Sequence, residues 1–260
     1  MTVSLDELVA RIPNGAKLAV PPDYSGVAVA ATQALVKRGV RDLHLVAIPS
    51  SGIQADMLIA AGCVATLEAA AISLGEFGPS PAFTNAIKSA SIRMLDSTCP
   101  ALHAALQAAE KGLPFTPLRG LLGSDLVKWR TDWKTIQNPF NPDPDPIVLL
   151  PALKPDVALF HCAAADRDGN VWVGRRQELS VIAHASTETL VTVERVLDVS
   201  FFDREEIVSG VLPSLYVSAI AVAEKGAWPL GLDEEYTVDG AALSRYAAGG
   251  PLGLSMDRAA

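Results

Sequence analysis

Residues 150–173 read LPALKPDVALFHCAAADRDGNVWV, a sequence that predicts a buried strand, a tight turn and a returning strand. The first part, residues 156–161, is mostly apolar and contains residues that favour strands. Residues 166–170 then supply an Asp-Gly pair, which favours the positive φ of a tight hairpin. The stretch therefore predicts a central strand pair, around which the rest of the chain must build a sheet.

Strand-like and helix-like segments alternate through the first half of the chain, which predicts a parallel sheet covered by helices. Residues 4–12 are predicted to form a helix, because Ser4 and Glu7 have capping-box spacing. Lys17–Val20 is predicted to be a strand, and residues 26–38 a helix closed by Gly39. The remaining predicted strands lie at residues 42–48, 67–73 and 189–193, and the remaining predicted helices at residues 53–61, 79–89, 100–111, 178–185 and 213–224.

Residues 138–146 carry four prolines among nine residues. Proline fixes φ and lacks an amide hydrogen, so this segment is predicted to be an extended surface loop. We expect one α/β domain over residues 1–236, with a single open, mainly parallel sheet, helices on both faces and a hairpin. Residues 237–260 are weakly patterned and are expected to fray or to lie on a partner.

The charge and composition exclude several classes of protein. A net charge of −8 over 260 residues argues against nucleic acid or an anionic membrane surface as the main partner. The N-terminal residues do not have the pattern of a secretory signal, and no apolar run is long enough to span a bilayer. Three widely spaced cysteines form neither a disulfide framework nor a metal-binding pair. We therefore expect a cytoplasmic protein with reduced thiols and no metal site.

Several phrases of the sequence occur together in one protein family. Residues 150–173 contain Pro-Ala-Leu-x-Pro-Asp-Val-Ala and then Ala-Asp-x-x-Gly-Asn-Val, and they resemble the α subunit of class I coenzyme A transferases of the glutaconate CoA-transferase type. Further segments that match the family in the same order are residues 14–20, 40–46, 60–64, 112–125 and 190–196.

The resemblance implies a CoA-transferase-like fold, which NagB- and RpiA-type proteins share, and an acyl-CoA:carboxylate CoA-transferase activity. It implies a coenzyme A thioester as substrate, with no metal or redox cofactor. In the family, a glutamate of the β subunit, in a Glu-x-Gly context, attacks the thioester. Glu76 of this chain is followed by Phe77-Gly78, but it lies on a different loop from the one that the family uses. We therefore expect a homologous β subunit to supply the nucleophile of a heterodimer or heterotetramer, and Glu76 is the one catalytic candidate on this chain.

Ligands of open α/β sheets bind beyond the carboxyl ends of the strands, and four loops are predicted there. Amides at a helix start suit anions, glycines let backbone approach a ligand, and an arginine can hold a carboxylate by two hydrogen bonds. The candidate contacts to substrate and CoA are Tyr24, Ser25 and Gly26 on the first loop, Ser51 and Gly52 on the second, Gly75, Glu76, Phe77 and Gly78 on the third, and Arg119, Gly120 and Gly123 on the fourth.

Each loop also has a structural interpretation. Pro21 and Pro22 stand where the family usually has glycines, and they lack amide hydrogens, so the first loop could be a rigid turn. The alternatives for the other loops are helix capping by Ser51 and Gly52, a solvated Glu76, and an ion pair between Arg119 and an internal carboxylate such as Asp125.

The histidines and cysteines do not form a catalytic pattern. His44 and His161 fall within predicted strands, where a packed neutral imidazole is expected. Cys99 precedes Pro100 at a predicted helix start, but no base lies near it in the sequence.

Two other functions stay open at this point. Some relatives hydrolyse carbon–carbon bonds of cyclic CoA thioesters with a glutamate in a Met-Asp-Glu-Gly context. The matching residues 94–99 have Asp96, but Ser97 occupies the glutamate position. A non-catalytic module that binds an acyl or phosphorylated ligand is the second alternative, and the loss of glycines from the first loop favours it.

Overall fold

The structure is a computed structural model that describes residues 2–252. The α-helices are α1 (Leu5–Ala10), α2 (Val29–Arg38), α3 (Ile53–Ala60), α4 (Pro81–Ser89), α5 (Cys99–Glu110), α6 (Leu126–Trp129), α7 (Gln177–Ala185) and α8 (Gly240–Ala247). The strands are β1 (Lys17–Val20), β2 (Leu43–Ala47), β3 (Val64–Ala69), β4 (Arg93–Asp96), β5 (Phe115–Leu118), β6 (Lys134–Gln137), β7 (Pro146–Pro151), β8 (Val157–Asp166), β9 (Val171–Trp172), β10 (Glu188–Leu197), β11 (Val211–Leu212) and β12 (Ala219–Val222).

The main sheet contains seven parallel strands in the order β4-β3-β2-β1-β8-β10-β12. The strands β9 and β11 extend the sheet as short antiparallel additions next to β8. The chain moves outward from β1 through β2, β3 and β4, whereas β8, β10 and β12 lie on the other side of β1. Because the strand order reverses at this point, a crevice is expected at the carboxyl ends of β1 and β8.

Helices cover both faces of the main sheet, as the sequence predicts. Leu8 of α1, Leu35 of α2 and Leu58 of α3 pack against one face. Leu102 of α5 and Ile182 of α7 pack against the other. All ten residues of β8 are buried, which fits a strand at the centre of a sheet with both faces covered. The predicted α/β fold with one main parallel sheet is confirmed.

Several predicted boundaries of the first elements are confirmed, although α1 ends at Ala10 and not at residue 12, and α2 begins at Val29 and not at residue 26. β1 has the predicted bounds, and Gly39 ends α2 with a left-handed φ of 81°. Ser4 caps α1, with a Ser4 Oγ to Glu7 N distance of 3.2 Å and a Ser4 N to Glu7 Oε2 distance of 2.8 Å. Local capping chemistry therefore sets these boundaries.

A second, three-stranded antiparallel sheet, in the order β5-β7-β6, is absent from the sequence prediction. The apolar run that begins near Leu149 is predicted to enter the central strand pair, but β7 ends at Pro151 and belongs to this small sheet. Residues 138–146 connect β6 to β7. Val148 and Leu150 pack with Trp133 against Ala101 of α5, so the small sheet is attached to this helix.

The helix predicted at residues 213–224 is wrong. A short 3₁₀ turn at Ser214–Tyr216 precedes the parallel strand β12 there. Apolar periodicity does not separate so short a buried strand from a helical segment, and the pairing of β12 with β10 decides the outcome.

The weakly patterned tail also needs correction, because residues 240–247 form α8. The Asp239 side chain caps this helix by accepting a hydrogen bond from Ala242 N at 2.9 Å. Leu243 and Tyr246 are buried, and the Tyr246 hydroxyl donates to Asp56 Oδ2 of α3 at 2.9 Å. The expectation of a frayed tail is therefore wrong for α8, and residues 253–260 lie outside the described residues.

Candidate active site at the carboxyl ends of the parallel strands

Two cavities lie side by side at the crevice that the strand order predicts, and Tyr24 lines both. The first cavity, of about 440 Å³, lies between the loops that follow β1, β2 and β3 and the loop that follows β12. The second cavity, of about 830 Å³, lies between the β9 hairpin, the start of α7 and the same loop after β12. The loop after β12, residues 223–239, therefore walls both cavities.

The three candidate residues of the first loop, Tyr24, Ser25 and Gly26, lie in three different environments. Tyr24 has 66% of its surface exposed and faces the two cavities. Ser25 is buried, and its hydroxyl donates to Glu178 at the start of α7. The carbonyl oxygen of Gly26 accepts a hydrogen bond of 2.7 Å from His161 N of β8. This hydrogen bond ties the loop after β1 to β8 and so fixes the mouth of the crevice.

Asp23, on the same loop, is not among the predicted site residues. Its carboxylate accepts hydrogen bonds from Gly52 N at 2.8 Å and Ile53 N at 3.1 Å, at the start of α3. Burial is the main cause that raises the pKa of Asp23 to about 7, against the effect of those two amides and with a smaller contribution from Asp56. Asp23 is identified as part of the site only by its contacts with the start of α3, and the spacing of residues in the sequence does not predict these contacts.

The second and third loops pack closely around Asp23. Ser51 and Gly52 are buried, so they do not form an open surface for a ligand. A Cβ atom at Gly52 would overlap the Ser73 carbonyl oxygen and the Asp23 carboxylate. Gly75–Phe77 forms a 3₁₀ turn that Gly78 ends, and in this turn Glu76 is exposed while the Phe77 ring packs near Gly240 of α8. Glu76 and Phe77 both line the first cavity.

The fourth loop lies elsewhere. Arg119, Gly120 and Gly123 follow β5 of the small sheet, and none of them lines either cavity. Arg119 pairs with a carboxylate of the chain, which is Asp145 and not Asp125, with Nη2 and Oδ2 2.7 Å apart. Hydrogen bonds from Arg119, and then from two asparagines of the Pro-rich segment, hold the pKa of Asp145 below its usual range. Arg119 therefore secures the Pro-rich loop.

The largely buried carboxylate of Glu194, in the second half of β10, organises the loop after β12. Glu194 Oε1 accepts the Tyr236 hydroxyl at 2.8 Å and Gly226 N at 3.1 Å, and Oε2 accepts Lys225 N at 2.7 Å. His161 Nε2 lies 2.7 Å from Glu194 Oε1. Burial alone would raise the pKa of Glu194, but the bonds from His161, Tyr236 and Lys225 outweigh it, so the pKa lies below its usual value.

His161 has the packed position that the sequence predicts. Its Nδ1 lies 2.9 Å from Thr192 Oγ1, and the side chain has no exposed surface. Nε2 donates in the contact with Glu194, since the Glu194 carboxylate can only accept. His161 therefore supports Glu194 and does not reach the cavities.

Replacing Gly26 with alanine is expected to lower the free energy of unfolding by about 2–5 kcal/mol, because strain and overlap add. Gly26 has a φ of 75°, and a Cβ atom there would overlap the His161 carbonyl oxygen. Gly15→Ala is the matched control, with a φ of 77° and no neighbouring atom within 4 Å of the new Cβ. Urea denaturation of both variants measures the effect. A loss of free energy of unfolding in Gly26→Ala that is no larger than the loss in Gly15→Ala would contradict this prediction.

The carboxylates in the cavity walls are mostly engaged. Beside Asp23 and Glu178, Asp233 pairs with Arg176 at 2.5 Å, and Glu235 pairs with Arg195 through two bonds of 2.6 Å. Glu76 and Glu234 have no hydrogen bond or ion pair within residues 2–252, and both are exposed. The described part of this chain thus offers walls and polar anchors, and the carboxylates held in place there already have hydrogen-bond or ion-pair partners.

Two other candidate centres do not enlarge this site. Ser97, the residue that the resemblance to ring-opening hydrolases singles out, is buried and lines neither cavity. Within residues 2–252 no three His, Cys, Asp or Glu side chains are grouped to hold a metal ion. In the same residues no helix is both long and apolar enough to cross a membrane.

Sequence comparison places the chain among coenzyme A transferases. The family model "Coenzyme A transferase" matches residues 2–223. A 3-oxoadipate CoA-transferase chain from Pseudomonas knackmussii is 29% identical over 87% of this chain and 80% of its own. A cholesterol ring-cleaving hydrolase IpdA subunit from Rhodococcus jostii is 29% identical over 86% of this chain and 79% of its own. An uncharacterized protein from Archaeoglobus fulgidus is 32% identical over 83% of this chain, which spans only 49% of that protein.

Structure comparison agrees. Glutaconate coenzyme A-transferase from Acidaminococcus fermentans superposes with a TM-score of 0.86 at 26% identity, covering 95% of this chain and 83% of its own. A variant of the decarboxylase AibA/AibB superposes with a TM-score of 0.84 at 30% identity, covering 95% and 92%. With the family model matched over most of its length, and with a parallel sheet whose order reverses beside β1, this chain belongs to the coenzyme A transferase family and is similar to its α subunits.

Proposed function

We propose that this chain is the α subunit of an acyl-CoA:carboxylate CoA-transferase and that a homologous β subunit supplies the nucleophilic glutamate. The observation that carries the proposal is the incomplete site. Its walls hold Asp23, Glu178, Asp233 and Glu235 in hydrogen bonds or ion pairs, which leaves none of them free to attack a thioester. A nucleophile needs a fixed geometry, and exposed side chains on turns do not provide it.

The reaction that this arrangement serves has two halves. A partner glutamate attacks the thioester carbonyl carbon, the CoA thiolate leaves, and a mixed acyl-glutamyl anhydride forms. The thiolate then attacks the glutamyl carbonyl, which releases the first acid and leaves a glutamyl-CoA thioester. The carboxylate of the acceptor acid then attacks the glutamyl-CoA thioester, and the same two steps in reverse give the new acyl-CoA and free glutamate. Each attack develops negative charge on an oxygen, which hydrogen-bond donors at the interface must stabilise.

The charges of the cavity walls favour one orientation of the substrate. The second cavity has four acidic side chains, Glu178, Asp233, Glu234 and Glu235, and two basic ones, Arg175 and Arg176. Among residues 2–252, the first cavity is lined by Asp23 and Glu76 and by no basic side chain. Such walls repel the phosphates of coenzyme A. We therefore expect the acyl and thioester end to enter these cavities and the nucleotide end to lie on the partner.

Ring-opening hydrolysis is the second candidate, because an IpdA subunit is among the relatives. By the resemblance, Ser97 stands at the position of a glutamate, and a serine hydroxyl is too weak a base to act as a general base there. The burial of Ser97, away from both cavities, also disfavours this reaction.

The test is to express the chain alone and with the reading frame that neighbours its gene. We expect native mass spectrometry to show a complex with a second chain, and we expect CoA transfer from acyl-CoA esters to acetate only in that complex. After incubation with acyl-CoA, intact mass analysis in acid should show the covalent CoA adduct on the second chain.

The controls distinguish the alternatives. Glu76→Gln should leave turnover of the complex within about tenfold of the wild type, since removal of a nucleophile costs several orders of magnitude. A CoA adduct on this chain, or transfer by this chain alone, would disprove the assignment of the nucleophile to the partner. Release of carbon dioxide or ring opening without transfer would replace the transferase with a decarboxylase or a hydrolase.

A further inference from the structure

A third cavity lies away from the candidate active site, between the main sheet, α5 and the small sheet. It has a volume of about 230 Å³, and its walls include Lys17, His44, Arg93, Arg130, Trp129 and Trp133. Lys17 and Arg93 begin β1 and β4, so this cavity extends from the amino ends of the strands, whereas the candidate active site lies at their carboxyl ends. We call it the basic cavity.

The register of the sheet brings its basic residues into one row. Lys17 pairs with His44, His44 with Thr66, and Thr66 with Arg93 on four adjacent parallel strands. Residues paired in this way point to the same face of a sheet, and neighbouring strands lie about 4.8 Å apart. Across four strands, the Cα atoms of Lys17 and Arg93 therefore lie about 14 Å apart on one face, with His44 between them.

The acidic side chains of the basic cavity are paired with basic side chains of the same cavity. Arg130 donates to Glu68 Oε1 at 2.8 Å and to both Asp132 oxygens at 2.8 and 2.9 Å. His44 Nε2 lies 3.2 Å from the other oxygen of Glu68. The two acidic residues of the cavity thus have partners of their own.

Lys17 and Arg93 differ from these residues, because neither side chain makes a hydrogen bond or an ion pair within residues 2–252, although the charge of Arg93 helps to lower the pKa of Asp132. Both line the cavity, where Lys17 is partly exposed and Arg93 is exposed. Two such cations on one wall are unexpected in a chain with a net charge of −8. Two tryptophan side chains form flat walls beside Lys17 and Arg93. Trp129 has 80% of its surface exposed, and the Trp133 ring centroid lies 4.4 Å from the Arg130 guanidinium carbon.

We propose that the basic cavity binds the oxyanion group of a small ligand, a carboxylate or a phosphate, between Lys17 and Arg93. Lysine and arginine are the side chains that hold such groups by charge-assisted hydrogen bonds. The volume fits one such group with a short organic portion and is too small for coenzyme A. The site is separate from the proposed transfer reaction, so it does not depend on that proposal.

The experiment titrates the whole chain with inorganic phosphate and, separately, with succinate, at an ionic strength held constant with sodium chloride. The tryptophan indole N–H signals in ¹H–¹⁵N NMR spectra report binding at the cavity wall. We expect saturable shifts of the Trp129 and Trp133 signals with at least one of the two anions. Saturation by phosphate alone or by succinate alone supports the site and identifies the preferred oxyanion.

The variants test which residues hold the anion. Lys17→Gln and Arg93→Gln should each weaken binding about tenfold, the effect of losing one hydrogen bond to a charged group. Lys88→Gln, which removes an exposed lysine of α4 outside the cavity, should leave binding unchanged. Two results would overturn the proposal: no saturable shift with either anion, or undiminished binding in both cavity variants.

Discussion

Replacing Arg130 with alanine is expected to lower the free energy of unfolding by about 3–5 kcal/mol, because it leaves the Glu68 charge buried without its arginine partner. Glu68 and Arg130 are each 5% exposed. The same guanidinium also donates to the Asp96 carbonyl oxygen at 3.1 Å, so its loss disconnects the α6–β6 segment from the end of β4. Urea denaturation at pH 7 measures the effect.

The matched control is Lys128→Ala, two residues away on the same segment. Lys128 pairs with Asp125 at 2.6 Å, but both side chains are at least 75% exposed. Exposed pairs of this kind contribute about 0–1 kcal/mol, so this variant should be close to the wild type. Equal losses in the two variants would show that burial of the Glu68–Arg130 pair has no special effect.

The pH dependence gives an independent check of the same pair. Burial would raise the pKa of Glu68, but the hydrogen bonds and charges of His44 and Arg130 hold it below its usual value. A carboxyl with a lowered pKa stabilises the fold above its unfolded-state pKa, and this stability is lost as the pH falls through the folded-state value. The difference between wild type and Arg130→Ala should therefore shrink below about pH 4.

The parts of the fold that the sequence predicts are those with local causes. Ser4 and Glu7 form their capping box, and Gly39 ends α2 in the left-handed region. The alternation of strands and helices predicts the parallel sheet, because each crossover needs a helix on a face. The small sheet is different, since β5, β6 and β7 are joined by pairing across long loops, and no local pattern marks such pairing.

The candidate site also has a part that the sequence predicts and a part that it does not. Three of the four predicted loops meet because the carboxyl ends of parallel strands share one edge of the sheet, and Tyr24, Glu76 and Phe77 line cavities there. Arg119 follows an antiparallel strand of the other sheet, so the same rule does not bring it to that edge. The Glu194 cluster could not be predicted, because Glu194 meets its partners His161 and Tyr236 only in the folded chain.

Replacing Glu194 with alanine is expected to release the loop of residues 223–239 and to destabilise the fold, with a cost of about 1–3 kcal/mol for each buried donor left without an acceptor. The Glu194 side chain is 10% exposed, and four donors converge on it. Hydrogen exchange at Lys225 and Gly226, whose amides bind this carboxylate, should accelerate more than exchange in the main sheet. The same loop walls both cavities, so acyl-CoA binding by the complex of the two chains should weaken as well.

Glu235→Ala is the matched control, because Glu235 lies on the same loop and pairs with Arg195, whose side chain is 49% exposed. Its loss should cost less than about 1 kcal/mol and leave Lys225 and Gly226 protected. Tyr236→Phe should fall between the two variants, since it removes one donor to Glu194 and also the acceptor of the Ala227 amide, whose bond measures 3.0 Å. If Glu194→Ala leaves amide protection and acyl-CoA binding like those of Glu235→Ala, the carboxylate does not hold this wall. If the three variants rank as expected, a residue in the second half of β10 fixes the shape of the site without touching the substrate.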